Sequence, residues 1–224
     1  RIPSSAASDV YKRQINSQIK KNQKKVVFAD GEDENTLKAA IAFKNSGLGI
    51  PILVAKDKVV KERLKDIGYS ENFNIEIINS TKKSLREKYS NYIFKKLHRS
   101  QGLLERDCDR LIRNDRVIWG SCMVACGDAD AMVTGNTRRY GQSLQKIIKV
   151  VDPRPGEIMF GLNMVVNKGR TVFIGDTSVH EYPTSKQLAE IAISSARVVR
   201  LFGFTPKIAL SLIHISEPTR HLFI

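Results

Sequence analysis

Val26-Val27-Phe28-Ala29-Asp30-Gly31-Glu32-Asp33-Glu34 is the stretch on which the fold turns. Four apolar residues end at Asp-Gly, which reads as a buried strand running into a turn. From Glu32 to Phe43 the apolar residues fall at helical spacing, with Leu37, Ala40 and Ile41 on one face, and Asn45-Ser46-Gly47 stops the helix. Working outward, Ile50-Pro51-Ile52-Leu53-Val54 is a second strand with its proline at the start. Lys56 to Ile67 is a helix closed by Gly68, and Ile75-Glu76-Ile77-Ile78 is a third strand. Alternation of this kind predicts a parallel sheet with helices on its faces.

Further along, residues 81–114 form a long polar helical stretch carrying Tyr89, Tyr92, Ile93, Leu97 and Leu103, and a shorter helix spans Val117–Ala125. Ala129–Thr134 is a fourth strand ending at Gly135. Arg138-Arg139-Tyr140 leads into a helix through Val150. Met159–Val166 and Thr171–Gly175 read as strands joined by the turn Asn167-Lys168-Gly169. Thr184 opens a helix to Phe202, stopped by Gly203, and Lys207–Leu210 reads as one more strand. The hairpin in an otherwise parallel pattern divides the chain into a first subdomain, 15–135, and a second, 136–210.

The ends read differently. Asp9-Val10-Tyr11-Lys12-Arg13-Gln14 can be written as the codons GAT GTG TAT AAG AGA CAG. The reverse complement of those codons translates as Leu210-Ser211-Leu212-Ile213-His214-Ile215. One inverted DNA repeat therefore accounts for both segments, as a transposon-type sequencing adaptor read through in frame would. The following Ser216-Glu217-Pro218-Thr219-Arg220 fits the same adaptor. Residues 1–14 and 211–224 are accordingly expected to be non-native and are set aside. What remains reads as an internal piece of a longer chain.

Composition narrows the function classes. The 224 residues are 42% hydrophobic and carry a formal net charge of +14, a balance that suits a folded chain and not wholesale disorder. No apolar run approaches the ~20 residues of a membrane helix. Cys108, Cys122 and Cys126 lack the spacing of a zinc site or a disulfide framework and read as reduced thiols of a cytoplasmic protein. The lysines are spread over many helices with no basic arm or nucleic-acid motif, so no nucleic-acid partner is expected. A pocket for an acidic ligand explains the positive charge equally well.

Three loops carry candidate chemistry. Asp30–Glu34 reads either as a ligand or metal loop at the end of a strand or as helix capping. Gly135-Asn136-Thr137-Arg138-Arg139-Tyr140 joins a strand to a helix. There glycine lets backbone N–H groups approach an anion and arginine forks match phosphate. The plain alternative is a solvated turn. In Gly175–Thr184, Asp176 and the hydroxyls suit a cleft, His180 is a candidate base or donor, and Thr184 is a candidate N-cap.

Four segments taken together resemble the phosphate acetyl/butyryl transferase family. They are Val26–Asp33; Gly127–Gly135; Phe173–Thr177 with Pro183-Thr184; and Ala189-Glu190-Ile191-Ala192 leading to Phe202–Leu210. The similarity runs in order through residues 22–210. Within the family, Arg139-Tyr140 after Gly135, and Asp176-Thr177 in place of Asp-Cys-Ala, are similar to the C-terminal phosphotransacetylase-like domain of bacterial NADP-dependent malic enzymes. His180 stands where the family usually has asparagine.

The resemblance implies a three-layer α/β/α sandwich like that of isocitrate and isopropylmalate dehydrogenases, with two subdomains flanking a cleft. In the transferases, CoA thiol attacks the acyl carbonyl there and phosphate leaves. The resemblance also implies that functional residues following the strand ending at Leu210 are missing, so no complete catalytic site is expected and none of these residues is assigned as catalytic. By the same resemblance the domain binds acetyl-CoA as a regulatory ligand and builds a homo-oligomer interface. Its parent enzyme would decarboxylate malate to pyruvate with NADP and Mg or Mn held by upstream domains. The alternative is part of a phosphate acetyltransferase. Arg138, Arg139 and Lys146 are the expected contacts to the anionic ligand, with Thr137 and Asp176 as further contacts and no metal ligand.

Overall fold

The structure, a computed structural model, describes residues 19, 22–69, 74–79, 82–167 and 170–210. The adaptor-like segments 1–14 and 211–224 and the turn residues Lys168 and Gly169 lie outside the described residues. The described residues divide into two compact units that meet in sequence at Asp152 and Pro153.

The first unit is the parallel α/β pattern anticipated from residues 26–78. Strands β1 (Lys24–Phe28), β2 (Gly49–Val54), β3 (Glu76–Ile78) and β4 (Ala131–Val133) form one parallel sheet in the order β3-β2-β1-β4. Successive side chains on a strand face opposite ways. Val27 of β1 and Ile52 and Val54 of β2 therefore enter one apolar cluster, while Phe28 and Leu53 enter another. The second cluster is closed by α1 (Glu34–Asn45) and α2 (Asp57–Asp66) through Leu37, Ala40, Ile41, Val60 and Leu64. The first is closed by α3 (Lys83–Gln101), α4 (Glu105–Asn114), α5 (Arg116–Ala125) and α6 (Tyr140–Val150). Helices thus cover both faces of this sheet, as a sheet apolar on both sides demands. At the centre of the larger cluster the Tyr89 and Trp119 rings meet edge to face at 5.1 Å. Such a pair contributes about 1 kcal/mol beyond the area it buries.

Three expectations are corrected. The helical stretch 81–114 is two helices, because Gly102 adopts φ 66° and caps α3 with its N–H on the His98 carbonyl at 3.0 Å, a left-handed stop open to glycine. The unit boundary falls after Asp152 and not at residue 136, because α6 packs against α5 and its Val150 joins the larger core. Residues 207–210 are not a strand; a strand exists through its ladder, and no described strand lies beside them.

In the second unit, β5 (Leu162–Asn167) and β6 (Arg170–Gly175) form the anticipated antiparallel hairpin. Helix α7 (Ser185–Leu201) packs on β6. Thr184 is its N-cap: its hydroxyl oxygen accepts from the Gln187 N–H at 3.3 Å, and the Gln187 side chain accepts from the Thr184 N–H at 2.8 Å. Phe173 of β6 packs against Phe202 and Phe204. No described helix is long and apolar enough to cross a membrane.

Helix α5 approaches the sheet closely through Gly120, where an added Cβ would lie 2.6 Å from Met132 Sδ and 3.2 Å from Val27 Cγ1. Gly120→Val is expected to cost about 1–3 kcal/mol by overpacking, read as a lower midpoint in urea unfolding. An unchanged midpoint would show that α5 can move off β1 and β4 freely.

Candidate functional site

In the order β3-β2-β1-β4, the chain leaves β1 toward β2 on one side and arrives at β4 on the other. The carboxyl ends of β1 and β4 therefore flank a topological switch point, where open α/β sheets bind ligands. The two loops there are joined by one buried carboxylate. Asp30, 4% exposed, accepts from the N–H groups of Gly135 at 3.0 Å and Asn136 at 3.3 Å, and from the hydroxyls of Thr134 at 3.3 Å and Thr137 at 2.6 Å. Asp33 caps α1 by accepting from Thr36 N–H at 2.9 Å, and the Asn136 side-chain amide donates to the same carboxylate. The Thr36 N–H chiefly, helped by its hydroxyl and by Asn136, holds the Asp33 carboxyl below the ordinary carboxylate range against the opposing effect of burial. Acid chemistry in the 30–34 loop is thus spent on caps and loop ties. The capping reading holds for Asp33, but not for Asp30.

A second carboxylate organises the cations. Asp115 caps α5, accepting from the N–H groups of Val117 at 3.0 Å and Ile118 at 3.3 Å. Arg138 Nη1 donates to both of its oxygens at 3.0 Å, and Lys146 Nζ donates to Oδ2. Burial, which leaves the side chain 14% exposed, pushes the Asp115 carboxyl up, but Lys146 and Arg138 outweigh it and hold it below the ordinary range. Arg138 and Lys146 are therefore brought together as anticipated, but by a protein carboxylate. Arg139 is different. It is exposed, and among the described residues its guanidinium has no hydrogen bond or ion pair. It is also the N-cap residue of α6 and makes no side-chain capping bond, so the first N–H groups of that helix keep their attraction for an anion. The switch point thus presents an uncapped helix start and an unneutralised arginine, a combination suited to phosphate or another oxyanion.

In the second unit, Asp176 is an organiser of its own loop. Its carboxylate, in a side chain 2% exposed, accepts from the N–H groups of Gly161 at 2.9 Å, Ser178 at 3.2 Å, Val179 at 3.1 Å and His180 at 3.0 Å, and pairs with His180 Nδ1 at 2.8 Å. Burial raises its pKa, but the His180 contact and the backbone donors prevail and hold the carboxyl below its usual range. His180 is tied down by this contact and not poised alone in a loop. Thr177 Oγ1 accepts from the Asn163 side chain at 3.1 Å.

The sequence matches the phosphate acetyl/butaryl transferase family over residues 10–217. The chain belongs to this family. It is 38% identical to a probable NADP-dependent malic enzyme of Rickettsia prowazekii over 84% of its length, and 36% identical to a NADP-dependent malic enzyme of Rhizobium meliloti over 88%. It is 30% identical to a phosphate acetyltransferase of Helicobacter pylori over 89%. The chain spans 24% and 26% of those malic enzymes and 38% of the acetyltransferase. A phosphotransacetylase from Streptococcus pyogenes superimposes with a TM-score of 0.80 at 25% identity, over 91% of this chain and 62% of that one. The EutD phosphotransacetylase of Staphylococcus aureus gives 0.76 at 23%, over 92% and 60%, a likeness of fold.

Two organising residues of this transferase-family chain escaped the sequence reading. Asp115 carries a local signal, since it stands two residues before the apolar run Val117-Ile118-Trp119 at a helix start, but its bonds to Arg138 and Lys146 span 23 and 31 residues. Asp30 was noticed as part of a loop, but its partners lie 104 to 107 residues away. Cys108 and Cys122 are buried and Cys126 is half-buried, and burial raises all three thiols. Among the described residues no His, Cys, Asp and Glu side chains gather as a metal site.

Asp30→Ala strands four donors of the 134–137 loop and is expected to cost about 3 kcal/mol in urea unfolding; a loss below about 0.5 kcal/mol would mean that water replaces the carboxylate. Asp115 gives a pH signature. Its folded pKa lies below its unfolded value of about 3.9, so its contribution is complete above that value and is lost as pH falls through the lower folded one. Asp115→Asn should therefore flatten the fall in unfolding free energy below about pH 4. Superimposable pH profiles would show that the Arg138 and Lys146 contacts do not favour the charged form.

Proposed function

We propose that the chain is the phosphotransacetylase-like domain of a NADP-dependent malic enzyme, where it binds acetyl-CoA as a regulatory ligand and helps to build a homo-oligomer. The observation that carries this reading is 36–38% identity to two such enzymes across a stretch that is about a quarter of their length. On this reading oxidative decarboxylation of malate to pyruvate belongs to upstream domains of the same cytoplasmic polypeptide. NADP and Mg or Mn would be held there, and none of the described residues is assigned to them. The fold is inferred to be the isocitrate/isopropylmalate dehydrogenase-like α/β/α sandwich with two subdomains flanking a cleft. The helix layers on both faces of the first sheet support that class.

Acetyl-CoA is rich in phosphate, and Arg139 at the uncapped start of α6 is the contact best placed for it, with Arg138 and Lys146 as neighbours. Thr137 and Asp176 are assigned to holding the ligand loops in shape. A second reading, part of a phosphate acetyltransferase, is supported by the 30% identity to the Helicobacter pylori enzyme. Regulation in the first reading means a differential affinity of two states for acetyl-CoA.

Calorimetric titration of the chain with acetyl-CoA tests the ligand. Arg139→Ala should weaken binding roughly tenfold, as loss of one charge-assisted contact does. Unchanged affinity removes Arg139 from the site, and no heat with the unmutated chain removes acetyl-CoA. Formation of acetyl-CoA from acetyl phosphate and CoA by the intact gene product would favour the second reading over malate-dependent NADP reduction.

A further inference from the structure

The chain passes from the first unit to the second at Asp152 and Pro153. Helix α6 ends just before that point, and the last carbonyls of a helix have no partner within it. The carbonyl of Val150, a residue 1% exposed, is satisfied from α3 instead: it accepts from Lys96 Nζ at 2.8 Å and from the Tyr92 hydroxyl at 3.0 Å. The N–H of the same peptide group, that of Val151, donates to the Ile147 carbonyl at 2.8 Å. This one peptide group is therefore held from both sides. Lys96 Nζ also pairs with Asp152 Oδ2 at 2.6 Å. The start of α6 is tied as well, through Arg138 and Lys146 to Asp115. With its ends fixed to α5 and α3, α6 belongs wholly to the first unit.

On the far side, Glu157 accepts from Arg197 Nη1 of α7 at 2.6 Å, a contact inside the second unit. Between the two ties, Asp152, Pro153, Arg154, Pro155 and Gly156 are exposed. Sequence restrains them where packing does not. Arg154-Pro155-Gly156-Glu157 closes a turn, with the Glu157 N–H donating to the Arg154 carbonyl at 2.9 Å and Gly156 at φ 76°, the proline-glycine order of a type II turn. Each proline fixes its own φ and holds the residue before it in extended conformations. The bonds left least restrained are the two that flank the 153–154 peptide, ψ of Pro153 and φ of Arg154.

We propose that this stretch is a latched elbow. The second unit turns on the first about the 153–154 peptide. Lys96 keeps the bend from running back into α6, and the 154–157 turn, tied by Arg197, keeps it from running on toward β5. The elbow is independent of acetyl-CoA binding, and Arg139 keeps its place on the first unit whatever the second does.

Amide hydrogen exchange of the 224-residue chain tests the latch, because fraying of the last turn of α6 exposes the Val151 N–H. Lys96→Met keeps the stem and removes the ammonium, and should speed exchange at Val151 roughly tenfold, as loss of one charge-assisted bond does. Tyr92→Phe should speed it about fivefold, and Asp152→Asn only about twofold, as loss of an exposed pair does. Amides of β1 and α1 should exchange as before. An unchanged Val151 rate in Lys96→Met, or an equal rise in β1 and α1, would overturn the latch. Residual dipolar couplings test the joint. Each unit should fit an alignment tensor of its own, and Pro153→Gly with Pro155→Gly should shrink that of the second unit while leaving that of the first as it was. One tensor fitting both units would show that no joint exists. Tensors that coincide in the unmutated and double-glycine chains would show that the prolines set nothing, and the elbow would fall.

Discussion

The buried Asp30 carboxylate is the constraint on which the carboxyl edge of the first sheet depends. Its two oxygens take four donors from residues 134–137. Those donors belong to the loop that must turn from β4 into α6. Without a common acceptor, two backbone N–H groups and two hydroxyls would lose the partner that holds this loop in one shape. The carboxylate thus fixes where α6 begins, which fixes where Arg138 and Arg139 stand. A capping role alone, satisfied by the neighbouring Asp33, would have set α1 and nothing beyond it.

Asp115 repeats the device one layer away. It starts α5 and, through Arg138 and Lys146, ties α6 to it. Because α5 carries Trp119 into the main core and packs on the sheet through Gly120, the cation-bearing helix is referenced to that core. The sequence alone suggested arginines free to grip phosphate. In the structure, two of the three cations are instead part of the scaffold, and Arg139 alone keeps its charge uncompensated. A partly buried ion cluster of this kind is weak evidence for stability by itself, and its clear consequence here is position.

What could be read from the sequence follows from the range of the forces involved. The short apolar runs of β1 and β2 and the helical spacing of Leu37, Ala40 and Ile41 are local, and the parallel sheet followed from them. The hairpin and the Thr184 cap were also legible, because turn and cap chemistry involve residues three or four apart. The break at Gly102 was missed because a polar helical pattern continues on both sides of it, and only the left-handed backbone marks the stop. The strand at 207–210 was overread because apolar residues do not make a strand without a partner. The roles of Asp30, Asp115 and Asp176 were hidden for the opposite reason. Asp30 and Asp115 act across 23 to 107 residues, and Asp176, though local, meets four backbone donors through a fold of the loop that its composition does not announce.

These roles change how the positive charge of the chain should be read. A formal +14 spread over helices suggests a diffuse attraction for polyanions, which salt would screen beyond about 10 Å. At the carboxyl edge of the sheet, however, the acidic residues have been used up internally. Asp30 and Asp33 serve backbone and hydroxyl donors, Glu32 serves Arg116, and Asp115 serves Arg138 and Lys146. The surplus is therefore local as well as global. Arg139 has no ion pair among the described residues, and it stands beside a helix start that also favours negative charge. Short-range fields of this kind are screened less than the diffuse one. The place of the uncompensated charge at this edge thus follows from where the carboxylates are spent, and not from the number of lysines.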